Sequence, residues 1–235
     1  AVIEAPLSPA IVVAGAGSGK TETMANRVVW LLANGEVRVP EVLGLTFTRK
    51  AAGELAERVR KRIEQLVASG LTDIQFDPFE APDVATYNAF ANAIFRENAL
   101  LIGREPEAAV LSEASAWQLA RRVVVDSADD RLVDLDRNVD AVTAAVLDLS
   151  RALSENIAGA AEVGRMAEDF GRVIDLPTGS ARKAEPYAKV KAAVETVGAL
   201  PPLLGLAERF AEEKRRRGFV EYSDQVALAL AVCER

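Results

Sequence analysis

Residues 14–21 read Ala-Gly-Ala-Gly-Ser-Gly-Lys-Thr and follow the apolar run Ala10-Ile11-Val12-Val13. That order predicts a buried strand, a turn through Gly15, Gly17 and Gly19, and a helix beginning near Lys20. A loop wrapped around a phosphate chain needs backbone angles that a Cβ forbids, and its N–H groups must come close to oxygen. The helix start adds a partial positive charge and unpaired N–H donors at the same point. In such a loop the lysine, here Lys20, reaches the β- and γ-phosphates, and the hydroxyl of Thr21 holds Mg²⁺. The candidate nucleotide-binding residues are therefore Ala14, Gly15, Ala16, Gly17, Ser18, Gly19, Lys20, Thr21 and the adjoining Glu22. Lys20 and Thr21 are the candidate catalytic pair. The strict pattern has glycine at position 14; a methyl group on Ala14, at the strand end, is harmless. The bland alternative is a glycine-rich turn that binds nothing.

The strand-then-helix pattern recurs. Val42–Phe47 reads as a second buried strand, and Thr48-Arg49-Lys50-Ala51-Ala52 turns into a helix running to about Val67. Its stripe of Leu55, Val59, Ile63 and Leu66 keeps helical spacing, with Arg58, Lys61 and Arg62 on the other side. Asp83-Val84-Ala85-Thr86-Tyr87-Asn88-Ala89-Phe90 is a third short strand leading to a helix from about Asn88 to Leu101. Together, Ala-Gly-Ala-Gly-Ser-Gly-Lys-Thr, Thr-Phe-Thr-Arg-Lys-Ala-Ala and Ala-Thr-Tyr-Asn-Ala-Phe resemble, in wording, order and spacing, motifs I, Ia and Ic of the superfamily 1 DNA helicases typified by UvrD, Rep and PcrA. The resemblance spans residues 1 to about 98 and returns at Gly218–Asp224. The second motif is also similar to helicase–nuclease subunits of the AdnB and RecB type.

The resemblance implies an α/β fold: a P-loop NTPase (RecA-like) parallel sheet with a mainly helical inserted subdomain. Residues 1–98 and 218–235 would form the ATP-binding subdomain 1A, and residues 99–217 the helical subdomain 1B. It implies ATP as the nucleotide and single-stranded DNA as a partner, touched through Phe47, Thr48, Arg49, Thr86, Tyr87 and Asn88. The residue chemistry is compatible. Aromatic rings stack on any base, short hydroxyls suit phosphate oxygens, and Arg49 and Lys50 can neutralise phosphates at a helix head. Residue types alone favour the blander reading, with Phe47 a core residue at a strand end and Arg49-Lys50 a solvated helix start; the resemblance reverses this for Thr48, Arg49 and Thr86, and less so for Phe47. Asn88 stands where relatives usually carry histidine. Glu22 stands where many carry an arginine near the nucleotide; either Arg27, one turn later, compensates or Glu22 complements the helix dipole.

Between 103 and 218 the spacing predicts helices and no strand: Glu113–Ser127, with Ser112 as N-cap, then Leu135–Glu155, Ala158–Phe170, Glu185–Val197 and Pro202–Arg217, with a loop at 176–180. Residues 219–235 read as the returning helix. Lys214-Arg215-Arg216-Arg217 reads as a solvated run or as a DNA contact. Trp30 and Trp117 read as core or interface anchors. A single cysteine, Cys233, suits a reducing cytoplasm and reads as a small buried hydrophobe. With one cysteine and no histidine, a structural zinc site and histidine acid–base chemistry are excluded. No apolar run approaches 18 residues, which argues against a membrane span. The net charge of −7 predicts modest DNA affinity, although its acidic excess lies between Asp126 and Asp175, away from the motifs.

The function implied is the first lobe of an ATP-dependent DNA helicase moving 3′ to 5′ on single strands in recombination or repair. Motif II (an Asp-Glu pair), the arginine fingers of later motifs and a second RecA-like lobe have no match in these residues. The resemblance therefore implies a segment of a longer protein, inactive alone, whose partners include that second lobe and a helicase–nuclease subunit. A DNA-binding subunit that no longer hydrolyses ATP is the alternative. A small-molecule kinase is a further one, but it leaves the second motif and the helical insertion unexplained.

Overall fold

The computed structural model describes residues 2–15, 17–70, 81–177 and 185–235. Contacts divide the chain into two compact units, Ala1–Phe90 and Ala91–Arg235. In the first unit, helix α1 (Lys20–Ala33) is followed by a 3₁₀ turn (Val39–Glu41), strand β1 (Leu43–Thr46), helix α2 (Arg49–Ala68), strand β2 (Asp83–Thr86) and the start of helix α3 (Tyr87–Asn98). Strands β1 and β2 pair in parallel, Leu43 opposite Asp83 and Thr46 opposite Thr86. Helix α2 buries Ala52, Leu55, Val59, Ile63 and Leu66, one face at helical spacing. That face meets Ala25 and Leu32 of α1 in a shared core. Gly44 lets the β1 backbone sit close to both neighbours, because a Cβ there would lie 3.3 Å from Val84 Cγ2 and 3.4 Å from Leu55 Cδ2.

The strand expected at Ala10–Val13 does not form: these residues belong to no element, and Ile11 and Val13 are each 91% exposed. A strand exists only through pairing, and among the described residues β1 pairs β2 with nothing alongside 10–13. The apolar composition that predicted a buried strand is thus matched by neither burial nor pairing among the described residues.

The second unit is a helical body. It contains α4 (Glu113–Val125), a 3₁₀ stretch (Asp130–Leu135), α5 (Val139–Glu155), α6 (Ala160–Gly171), α7 (Ala188–Gly198), α8 (Leu200–Arg216) and α9 (Asp224–Cys233). The side chains of Ser112 and Asn138 cap α4 and α5 by accepting from the N–H groups of Ser115 and Ala141. The cap at Asn138 explains why α5 starts at Val139 and not at Leu135. Its core joins α4, α5 and α8 through Leu119, Ala120, Val123, Val146, Leu206 and Phe210, with Trp117 packed at its margin.

Two short strands appear where none was expected. Ala109–Val110 (β3) pairs in parallel with Phe219–Val220 (β4), and two residues are too few to leave a periodic signal. The segment 218–235 is thus a strand followed by α9, not one helix. It groups by contact with residues 91–217: α9 packs on α5 and on the 3₁₀ turn Ala99–Ile102. Cys233 is exposed, not buried, because the buried stripe of α9 runs through Gln225, Ala229 and Val232. Residues 178–180 of the expected loop lie outside the described residues.

Among the described residues, Ala188–Arg216 is long and apolar enough to cross a membrane by length and composition. It consists of α7 and α8 in succession, and α8 is a core helix of the second unit, burying Leu204, Leu206, Ala207 and Phe210.

Candidate nucleotide loop and DNA-facing strand ends

The loop before α1 is built as its glycines require. Gly17 and Gly19 have φ of 74° and 82°, the left-handed region in which a Cβ is strained. No atom outside their immediate neighbours lies within 4 Å of where a Cβ would sit on Gly15, Gly17 or Gly19, so these three positions are uncrowded. Gly19 is the N-cap of α1 and no side chain caps that end. The first-turn N–H groups of α1 thus remain available to an anion. Ala16 lies outside the described residues.

Lys20 and Thr21 open the helix and are exposed. The Lys20 ammonium folds back onto the loop, donating to the carbonyls of Ala14 at 2.8 Å and Gly15 at 2.6 Å. Ser18 Oγ donates to the same Gly15 carbonyl at 2.7 Å. These bonds hold the ammonium at the mouth of the loop.

Glu22 lies in the first turn of α1, where its charge complements the helix dipole, but Arg27 does not compensate for it at the loop. Arg27 turns away from the loop and donates to the carbonyls of Val2, Ile3, Ala5 and Pro6; it clamps the segment before the loop. Glu22 reaches α2, where it pairs with Arg62 and with Arg58 at 3.6 Å. Sequence reasoning missed this pairing because 36 and 40 residues separate the partners.

The ends of β1 and β2 lie side by side and present the remaining candidates. Phe47 is 91% exposed and Tyr87 48% exposed, with ring centroids 5.3 Å apart and planes tilted by 38°. The core-residue reading of Phe47 is therefore overturned. Thr48 Oγ1 accepts from the Ala51 N–H at 3.1 Å as the N-cap of α2, and Thr86 Oγ1 accepts from the Ala89 N–H at 3.1 Å. Both hydroxyls thus hold helix starts and keep one O–H to donate. Thr46 Oγ1 is committed to the Thr48 carbonyl at 3.1 Å. Arg49 and Asn88 are exposed beside them, and Arg49 makes no ion pair among the described residues. Two aromatic faces, two hydroxyls, an amide and a cation thus share one edge of the first unit.

The run Lys214–Arg217 is paired with carboxylates rather than free, in keeping with the solvated reading for its arginines. Arg215 pairs with Glu212, and Arg216 and Arg217 pair with Glu213, while Lys214 is buried against Glu221 and Asp224. Sequence reading saw four cations and not their partners, which lie one turn back for the three arginines and seven and ten residues ahead for Lys214.

The family model for the UvrD/REP helicase N-terminal domain matches residues 1–195. The ATP-dependent DNA helicase UvrD1 of Mycobacterium leprae is 27% identical over 213 residues, covering 89% of this chain and 25% of the relative. DNA helicase II of Haemophilus influenzae is 30% identical over 122 residues, 52% of this chain and 16% of its own. The ATP-dependent DNA helicase UvrD2 of Mycobacterium tuberculosis is 50% identical over 56 residues, 24% of this chain and 8% of its own. The chain thus spans at most a quarter of the length of these relatives. With a matched model over most of its length, the chain belongs to the UvrD/REP helicase N-terminal domain family.

Proposed function

We propose that this chain is the nucleotide-binding first lobe of an ATP-dependent DNA helicase that moves 3′ to 5′ along single-stranded DNA in recombination or repair, in the cytoplasm. Residues 14–22 hold the triphosphate. Lys20 neutralises the β- and γ-phosphates, the N–H groups of the loop and of the first turn of α1 donate to their oxygens, and Thr21 holds Mg²⁺. Phe47 and Tyr87 stack on bases, and Thr48, Arg49, Thr86 and Asn88 take backbone phosphates. In this reading the first unit is part of a RecA-like sheet, the helical body is its inserted subdomain, and a second RecA-like lobe completes the ATPase.

The observation that carries the reading is the exposed Phe47–Tyr87 pair, set at the ends of adjacent parallel strands in the unit that also carries the uncapped, glycine-lined loop. A phosphate loop alone fits many enzymes, a small-molecule kinase included. An aromatic shelf flanked by hydroxyls and a cation fits a polynucleotide. Titration of a fluorescent ATP analogue tests the first half: Lys20→Ala should abolish binding with an unchanged circular dichroism spectrum. Equal affinity in that variant would count against the nucleotide site. Titration of labelled oligo-dT tests the second half, and a chain that takes up nucleotide with no affinity for the strand would favour the kinase.

A further inference from the structure

We propose that Glu22, Arg58 and Arg62 fasten the first turn of α1 to α2, so that occupancy of the phosphate loop and the grip on DNA are energetically linked through α2. The inference rests on the function proposed above and deepens it: it names positioning residues between the two sites.

Glu22 immediately follows Thr21 in the turn that would face the triphosphate. Its carboxylate accepts from the Arg62 guanidinium and forms an ion pair at 3.6 Å with that of Arg58, one turn earlier on the same helix. The grip is therefore on α2 as a body and not on a single flexible side chain. Glu22 also stands one turn before Ala25, the first residue of the α1 face buried in the shared core. Polar contact and apolar seam thus run continuously, Glu22 at the loop end and Ala25 and Leu32 behind it, against Leu55, Val59 and Ile63. Helix α2 is 20 residues long. Arg58 lies nine residues from Arg49, roughly 13 Å along the axis at the usual helical rise. At that far end stand the Thr48 cap and the exposed Arg49. A shift of the first turn of α1 on triphosphate binding is thus passed to the DNA-facing end by one rigid rod.

Stability alone is a poor account of the cluster. All three side chains are about 40% exposed, and exposed ion pairs contribute little to folding. Two guanidiniums against one carboxylate also leave a net positive charge beside the loop, which favours the anion there.

The test uses the 235-residue chain and labelled oligo-dT, with and without a saturating non-hydrolysable ATP analogue and Mg²⁺. In the native chain the analogue should change strand affinity about fivefold or more, the scale of ordinary linkage. The double variant Arg58→Gln/Arg62→Gln should bind the strand alone as before and the analogue alone more weakly, since it loses the positive charge beside the loop, and with the analogue again at saturation should bring that ratio to about one. Arg62→Lys, which keeps the charge, should retain most of it, and the exchanged pair Glu22→Arg/Arg62→Glu should restore it to the Arg62→Glu single variant. A ratio preserved in the double variant overturns the proposal, as does a native chain that binds both ligands independently. A native chain that binds neither overturns the functional reading itself.

Discussion

Ile157 shows what a single residue can cost this fold. It has φ of 53°, a region that β-branched side chains avoid. The hydrogen bonds show why the chain goes there: Ile157 N–H donates to the Ser154 carbonyl at 3.3 Å, and Ala158 N–H to the Leu153 carbonyl at 2.9 Å. These two bonds close the end of α5 with the reversal that normally takes glycine. At the end of α1 the same pair of bonds forms, from Gly35 to Leu32 and from Glu36 to Leu31, and there a glycine does fill the position at φ 67°. Ile157 is 56% exposed, so little burial offsets its strain. Relief of about 1–2 kcal/mol for a left-handed residue, less about 0.5–1 kcal/mol for the added freedom of glycine in the unfolded chain, leaves Ile157→Gly a net stabilisation of about 0.5–1 kcal/mol. Denaturant titration should show a higher midpoint with an unchanged slope. A lower midpoint would mean that the isoleucine side chain has a packing role that its exposure hides.

At the scale of elements, β1 separates packing from recognition along a few residues. Gly44 is crowded between Val84 and Leu55, whereas Phe47, just past the strand end, is almost fully exposed. Phe47→Ala should therefore leave the thermal midpoint nearly unchanged, since surface substitutions rarely exceed about 0.5 kcal/mol. It should nonetheless weaken oligo-dT binding by about 1–3 kcal/mol, the range for losing one stacked base. A large loss of stability with strand affinity intact would show that the ring serves the fold. The same element shows what was legible in the sequence. The glycine pattern of the loop, the α2 stripe and the Ser112 cap were all local signals, and each reads correctly within a residue or two. What escaped was set by distant partners. Ile11 and Val13 read as a strand from their apolar composition, but composition supplies no pairing partner, and both are exposed. The exposure of Phe47, the turn of Glu22 towards α2 and the neutralisation of Arg215–Arg217 depend on what folding brings beside them. Two-residue strands such as β3 leave too little pattern to see.

At the scale of the whole chain, the two compact units have separate cores, one around Leu55, Val59 and Ile63 and one around Val146, Leu206 and Phe210. The second unit also contains a buried ionic cluster, with no counterpart among the described residues of the first. Lys214 is nearly inaccessible and donates to Glu221 at 2.9 Å and to Asp224 at 2.7 Å, with its ammonium 5.0 Å from the Phe210 ring centroid. Arg151 pairs with Glu221 at 3.0 Å, Ser154 Oγ donates to Asp224 at 3.0 Å, and Asp224 in turn accepts from the Glu221 N–H at 2.8 Å. The network joins α5, α8 and the turn into α9, so the segment after Gly218 is held by charge as well as by the β3–β4 pair. Breaking such a cluster by removing one partner leaves charge buried without compensation, which costs about 3–5 kcal/mol. For Lys214→Ala the lower end applies, since Arg151 still faces Glu221. Hydrogen exchange should show that loss at the amides of α5, α8 and α9, while the amides of α2 keep their protection, because no member of the cluster lies in the first unit. Loss of protection in both units together would show that the chain folds as one cooperative body, and that its two cores are not thermodynamically separate.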